Sequence, residues 1–120
     1  MYKDNPALAR DLSAAVKTLR QGNNEVMQAF SGLAQAATKE GTLNGKTKEF
    51  IALAMGIAAH CDGCITFHAK ALVDQGATRD EVLETLGIAV YMGGGPSAMY
   101  AAQALEAFDQ FVEEKKKENG

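Results

Sequence analysis

The chain has 120 residues, 47% of them hydrophobic, with no tryptophan and a formal net charge of −3. One domain spanning residues 1–120 is expected at this length, with apolar residues enough for a small core. The acidic balance and the lack of a basic patch argue against nucleic-acid binding, and no apolar run reaches the ~18 residues of a membrane span.

Ala, Leu, Ile, Val and Met must fill the interior, which suits helix packed on helix. Met1-Tyr2-Lys3-Asp4-Asn5-Pro6 lacks the basic-then-apolar order of a signal peptide, so a cytoplasmic setting is expected. Every segment reads as helix. Asn5-Pro6 fits a helix start, with Asn5 as cap and Pro6 in the first turn. Leu8, Leu12, Ala15, Val16 and Leu19 follow at helical spacing to Gly22. Asn24 is placed to cap a second helix, striped by Val26, Phe30, Leu33, Ala34 and Ala37 and stopped at Gly41. Asn44-Gly45 is a turn signal. Thr47 is placed to cap a third helix through Phe50, Ile51, Ala54, Met55 and Ala58.

Around Asp62-Gly63 the helix is expected to break and restart. A fourth helix carries Ile65, Phe67, His68 and Leu72 to Gly76. Thr78-Arg79-Asp80-Glu81 has the capping-box spacing and opens a fifth helix with Val82, Leu83, Leu86, Ala89 and Val90. Gly93-Gly94-Gly95-Pro96 is a breaker, with Pro96 in the first turn of a sixth helix carrying Met99, Ala102, Leu105, Phe108 and Val112. It lacks the pattern of a phosphate loop and suits a close turn between helices. Tyr91, Met92, Met99 and Tyr100 flank it; at helical spacing they read as core, with a pocket or an interface as the alternative. Glu113-Glu114-Lys115-Lys116-Lys117-Glu118 has mixed signs and reads as a solvated helix end. The fold class is all-α, with about six helices and no sheet.

The chemistry lies between Glu49 and His68. This stretch holds both cysteines, Cys61 and Cys64, and both histidines, His60 and His68. At i and i+3 the two thiols lie one turn apart, and a disulfide between them is feasible where the first sits at a helix N-terminus. Unpaired N–H groups at that terminus stabilise a thiolate. His68, four residues after Cys64, faces the same side and can take a proton from either thiol. Each residue also has an ordinary reading, Cys as a small buried hydrophobe and His as a satisfied core or surface residue. From spacing alone Glu49 fits an exposed glutamate of a first helical turn. If the third helix is buried, its carboxylate needs a partner, and His68 is the natural one. A zinc site is the chemical alternative, with Cys61, Cys64, His68 and either His60 or Glu49 as ligands, although no second CxxC or HxxxH pair supports it. A thioredoxin fold is disfavoured, because no βαβ pattern surrounds the CxxC.

Glu49, eleven residues, Cys61-x-x-Cys64, three residues and His68, set in helices, resembles the alkylhydroperoxidase D-like members of the carboxymuconolactone decarboxylase family. The resemblance runs from about Leu33 to Phe111 and includes Gly93-Gly94-Gly95-Pro96 before an Ala-rich helix. It implies an all-α, cofactor-free homotrimer or homohexamer. The implied activity is thiol-dependent peroxide reduction or disulfide exchange. Cys64 would be the peroxidatic thiolate, Cys61 the resolving thiol, and His68 the proton acceptor oriented by Glu49. The implied partners are a hydroperoxide or disulfide substrate and a reducing dithiol or redox protein. Some family peroxidases carry a histidine between the cysteines; this chain has Asp62-Gly63 there and places His60 before Cys61. The alternatives are a lyase of the carboxymuconolactone type and a redox sensor without turnover.

Overall fold

The computed structural model describes residues 1–120 as six helices and no strand: α1 Asn5–Gly22, α2 Asn24–Thr38, α3 Gly45–Ala58, α4 Asp62–Asp74, α5 Arg79–Gly93 and α6 Gly95–Asn119. The six expected helices are all present. No helix is long and apolar enough to cross a membrane.

The core lies among α3, α4, α5 and α6, with α1 laid across α4 and α6. Leu53 and Ile57 enter it from α3, Ile65, Ala69 and Leu72 from α4, and Val82, Leu86 and Ala89 from α5. From α6 come Ala101, Ala104, Ala107, Phe108 and Phe111. The alanines let the helix axes approach closely, and each large side chain adds about 1.5–3 kcal/mol by leaving water.

The buried faces differ from the expected stripes on three helices. On α3 the inner row is Glu49, Leu53, Gly56 and Ile57, while Ile51 and Met55 point outward. On α6 it is Ser97, Ala101, Ala104, Ala107, Phe108 and Phe111, and Met99 is exposed. Two or more rows of each helix are apolar, so hydrophobicity alone does not choose between them; the neighbouring helices do. α2 buries no residue, and Val26, Phe30 and Leu33 on its expected stripe are exposed. Tyr91 and Met92 also stand in solvent rather than in the core.

Three caps move by a residue or more. Asp4, not Asn5, caps α1, its carboxylate accepting from Ala7 N–H. The amide of Asn5 is committed elsewhere: it is buried, accepts from Thr66 Oγ1 and donates to Gln110 Oε1. Asn44, not Thr47, caps α3, its Oδ1 accepting from Thr47 N–H at 2.8 Å. Asn23 rather than Asn24 precedes α2, without a side-chain cap. That helix ends at Thr38, before Gly41, where Lys48 Nζ reaches across from α3 to the Ala37 and Lys39 carbonyls. These carbonyls need donors at a helix end, and the lysine supplies them.

The expected capping box at α5 forms in full: Glu81 N–H donates to Thr78 Oγ1, and Thr78 N–H donates to Glu81 Oε1. Lys46 Nζ of α3 also bonds Glu81, at 3.0 Å. The Thr78 N–H first, then Lys46, hold the Glu81 carboxyl below the usual glutamate range. A carboxyl whose pKa is lower folded than unfolded stabilises the fold above its unfolded pKa, and that contribution is lost as pH falls through the folded value. Glu81→Gln is therefore expected to lower Tm at neutral pH. The two melting curves should converge as pH falls below the ordinary glutamate range.

Candidate functional site

The site is built where α3 ends and α4 begins. α3 closes in a Schellman arrangement: His60 N–H bonds the Ile57 carbonyl at 3.1 Å and Cys61 N–H bonds the Gly56 carbonyl at 3.0 Å. Such a closure needs one left-handed residue. At the end of α4 the same pattern uses Gly76, with φ 77°; here the residue is His60, with φ 55°. A side chain in this region is disfavoured, though less so for His than for branched residues. The His60 ring lies flat on Tyr100 of α6, with centroids 4.4 Å apart and planes 6° apart, a contact that offsets part of that cost.

Cys61 belongs to both helices. Its backbone N–H finishes α3, and its side chain caps α4, Sγ accepting from Cys64 N–H at 3.1 Å. Cys64 stands in the first turn of α4, and the two sulfurs form a disulfide with Cα atoms 5.2 Å apart. Two glycines pack closely around it. A Cβ on Gly56 would stand 3.1 Å from the Cys64 Cβ, and one on Gly63 would stand 3.1 Å from Leu12 Cδ1 of α1. Gly56 lets α3 run directly beneath the dithiol, and Gly63 lets α1 cover the turn from the other side.

One turn beyond Cys64, His68 Nδ1 lies 2.7 Å from Glu49 Oε2. Glu49 is 8% exposed and part of the inner row of α3, so the first-turn, solvent-facing expectation does not hold. Its buried charge needs a partner, and His68 supplies it. An ionised carboxylate only accepts, so Nδ1–H donates to it and Nε2 is the basic nitrogen of the neutral ring. His68 remains partly open to solvent, its side chain 31% exposed. Reaching back from α4 to α3, the pair ties together the two helices that carry the motif.

The structure thus joins Glu49 to His68 and Cys61 to Cys64, and sets His60 against Tyr100. With Cys61 and Cys64 joined as a disulfide, no group of three His, Cys, Asp or Glu side chains is arranged to hold a metal ion. A surface groove runs elsewhere, between the start of α1 and α6, lined by Asp4, Arg10, Leu105, Glu106 and Gln110. Gly56, Leu12 and Tyr100 also shape the site. Tyr100 is among the residues that the sequence offers as pocket-lining, Gly56 follows Glu49 by seven residues on the row of Leu53, and Leu12 is marked only as part of the apolar spacing of α1.

A family model described as carboxymuconolactone decarboxylase family matches residues 24–107. An uncharacterised protein of Cupriavidus necator is 44% identical over 109 residues, covering 91% of this chain and 96% of its own. The crystal structure of an apo carboxymuconolactone decarboxylase family protein of Legionella pneumophila superposes with a TM-score of 0.88 at 55% identity, over 90% of this chain and 96% of that one. A Thermotoga maritima protein of the same family, for which involvement in an antioxidative response has been suggested, superposes with a TM-score of 0.75 at 29% identity, over 88% and 95%.

Proposed function

The chain belongs to the carboxymuconolactone decarboxylase family, and on that footing we propose that it is a thiol-dependent peroxidase and disulfide reductase of the alkylhydroperoxidase D-like type. The observation that carries this reading is the Cys61–Cys64 pair on the first turn of α4, one turn from an imidazole held by a buried carboxylate. The antioxidative response suggested for the Thermotoga relative agrees with it.

In the proposed cycle the Cys64 thiolate attacks the outer oxygen of a hydroperoxide. The O–O bond breaks, sulfur is oxidised to sulfenic acid, and the alkoxide leaves as alcohol after taking a proton. The Cys61 thiolate then displaces hydroxide from that sulfur, giving the disulfide and, with a proton, water. An external dithiol returns the pair to two thiols and is itself oxidised to a disulfide. His68, oriented by Glu49, takes the thiol proton and returns it to the leaving oxygen. The α4 N–H groups favour the thiolates.

Counting free thiols tests the cycle. One equivalent of hydroperoxide should remove both thiols together, and dithiothreitol should restore them with continued peroxide consumption. Thiols that stay reduced would overturn the reading. Lactone turnover that survives alkylation of both cysteines would establish the lyase chemistry of the family name instead.

The proposal includes self-association as a homotrimer or homohexamer and a cytoplasmic setting. α2 is 15 residues long and buries none of them, a length at which an isolated helix is marginal in water. Phe30 and Leu33 are 61% and 64% exposed on its apolar row. A second copy covering that row would supply the missing burial. Sedimentation at micromolar concentration is expected to show a trimer or hexamer; a clean 12.7 kDa species would contradict it.

A further inference from the structure

The first turn of α4 carries a charge besides its thiols. Asp62 lies between Cys61 and Cys64, and its Oδ2 is 3.0 Å from Nζ of Lys3. Lys3 lies at the other end of the sequence from α6, yet the chain before α1 is strapped down along that helix. Tyr2 N–H donates to Glu106 Oε1 at 2.6 Å and Lys3 N–H to Glu106 Oε2 at 3.3 Å. Gln110 accepts from Asn5 N–H at 2.8 Å and donates from Nε2 to the Lys3 carbonyl at 2.6 Å. The buried Asn5–Thr66 hydrogen bond, 2.8 Å, pins the strap to α4 itself. The lysine head is therefore delivered to Asp62 by a fixed backbone, and its side chain is only 28% exposed.

We infer that Lys3 is a positioning residue for the dithiol, offsetting the Asp62 carboxylate so that the thiolates of the same turn form without a neighbouring negative charge. This inference rests on the redox reading of Cys61 and Cys64. A carboxylate favours the helix terminus, but it opposes a second anion within a Debye length. Lys3 removes that opposition while leaving Asp62 in the first turn of α4. Other titratable groups on the elements around this turn are Glu106 of α6 at the Lys3 N–H, His60 at the end of α3, Glu49 of α3 with His68 of α4, and Tyr100 of α6. Arg10 of α1 is turned to Glu114 and takes no part.

The test is the rate of iodoacetamide alkylation of the fully reduced protein against pH, at low ionic strength. Lys3→Gln should shift the profile to higher pH and slow alkylation near neutrality by about two- to fivefold, the range of a part-exposed ion pair. Asp62→Asn should shift it the other way. The double variant should fall close to the unchanged protein, because the net charge of the turn is restored, and Lys3→Arg should retain the original profile. All shifts should shrink in about 1 M salt, where the screening length is ~3 Å. A Lys3→Gln profile that overlays the original, or a double variant slower than Lys3→Gln alone, would overturn the inference. The readout requires only reduced thiols. A protein that follows this pattern yet consumes no peroxide would refute the proposed function while supporting the role of Lys3.

Discussion

Cys64→Ser is expected to abolish peroxide consumption, and Cys61→Ser to permit a single oxidation that stops at sulfenic acid. The difference follows from the two steps of the proposed cycle. Oxygen transfer needs one thiolate, and disulfide formation needs the second. Serine at 64 removes the attacking sulfur; its alkoxide is not accessible at neutral pH. Serine at 61 leaves Cys64 to react once, and the product then has no thiol in reach. A sulfenic-acid probe read by mass spectrometry should label the Cys61→Ser protein after peroxide and leave Cys64→Ser unlabelled. Both variants should fold, because Cys61 and Cys64 lie outside the fully buried core. Serine at 61 also keeps an oxygen able to cap α4 in place of the sulfur that now accepts from Cys64 N–H. Equal residual activity in the two variants would reverse or remove the assigned roles.

His68→Gln is expected to slow peroxide reduction by about 10²–10⁴-fold, the usual contribution of a positioned acid–base group. Glu49→Gln should cost less, at least about tenfold, because the ring stays in place while its protonated form loses a charged partner. The geometry behind this is the 2.7 Å contact to Nδ1, which leaves Nε2 for the proton exchange of the proposed cycle. Glutamine at 49 keeps the volume of a buried side chain, so the fold should persist. The two effects should not add, since each residue acts through the other. The pH–rate profile separates this role from a structural one: a relay member moves its acidic limb, whereas loss of packing lowers the whole curve. An unchanged rate in His68→Gln would remove the histidine from the cycle.

The breaks between helices are legible in the amino-acid sequence. Gly-Pro at 95–96, the Thr78–Glu81 capping box and the Asn-Gly turn at 44–45 act over three or four residues, and local backbone preference decides them. The spacing of Glu49, Cys61, Cys64 and His68 is legible for the same reason, and with it the expectation that Cys61 opens a helix. Caps are less secure. Asn5 has the right side chain for one, but its amide is used 61 residues away on Thr66, a competition that no local pattern reveals.

Tertiary structure alone decided which faces are buried. α3 and α6 carry apolar residues on several rows, so any of them could have been the inner one. The packing of α3 on α4 chose the row containing Glu49 and Gly56, which turned a glutamate that could have sat in solvent into the buried partner of His68. His60 gained a partner in Tyr100, and Asp62 a counter-charge in Lys3, from elements distant along the chain. Sequence by itself determined the helices and the chemical groups, because hydrogen bonding and backbone preference are local. The folded chain determined which of those groups meet, because burial and electrostatics depend on what the other helices bring alongside.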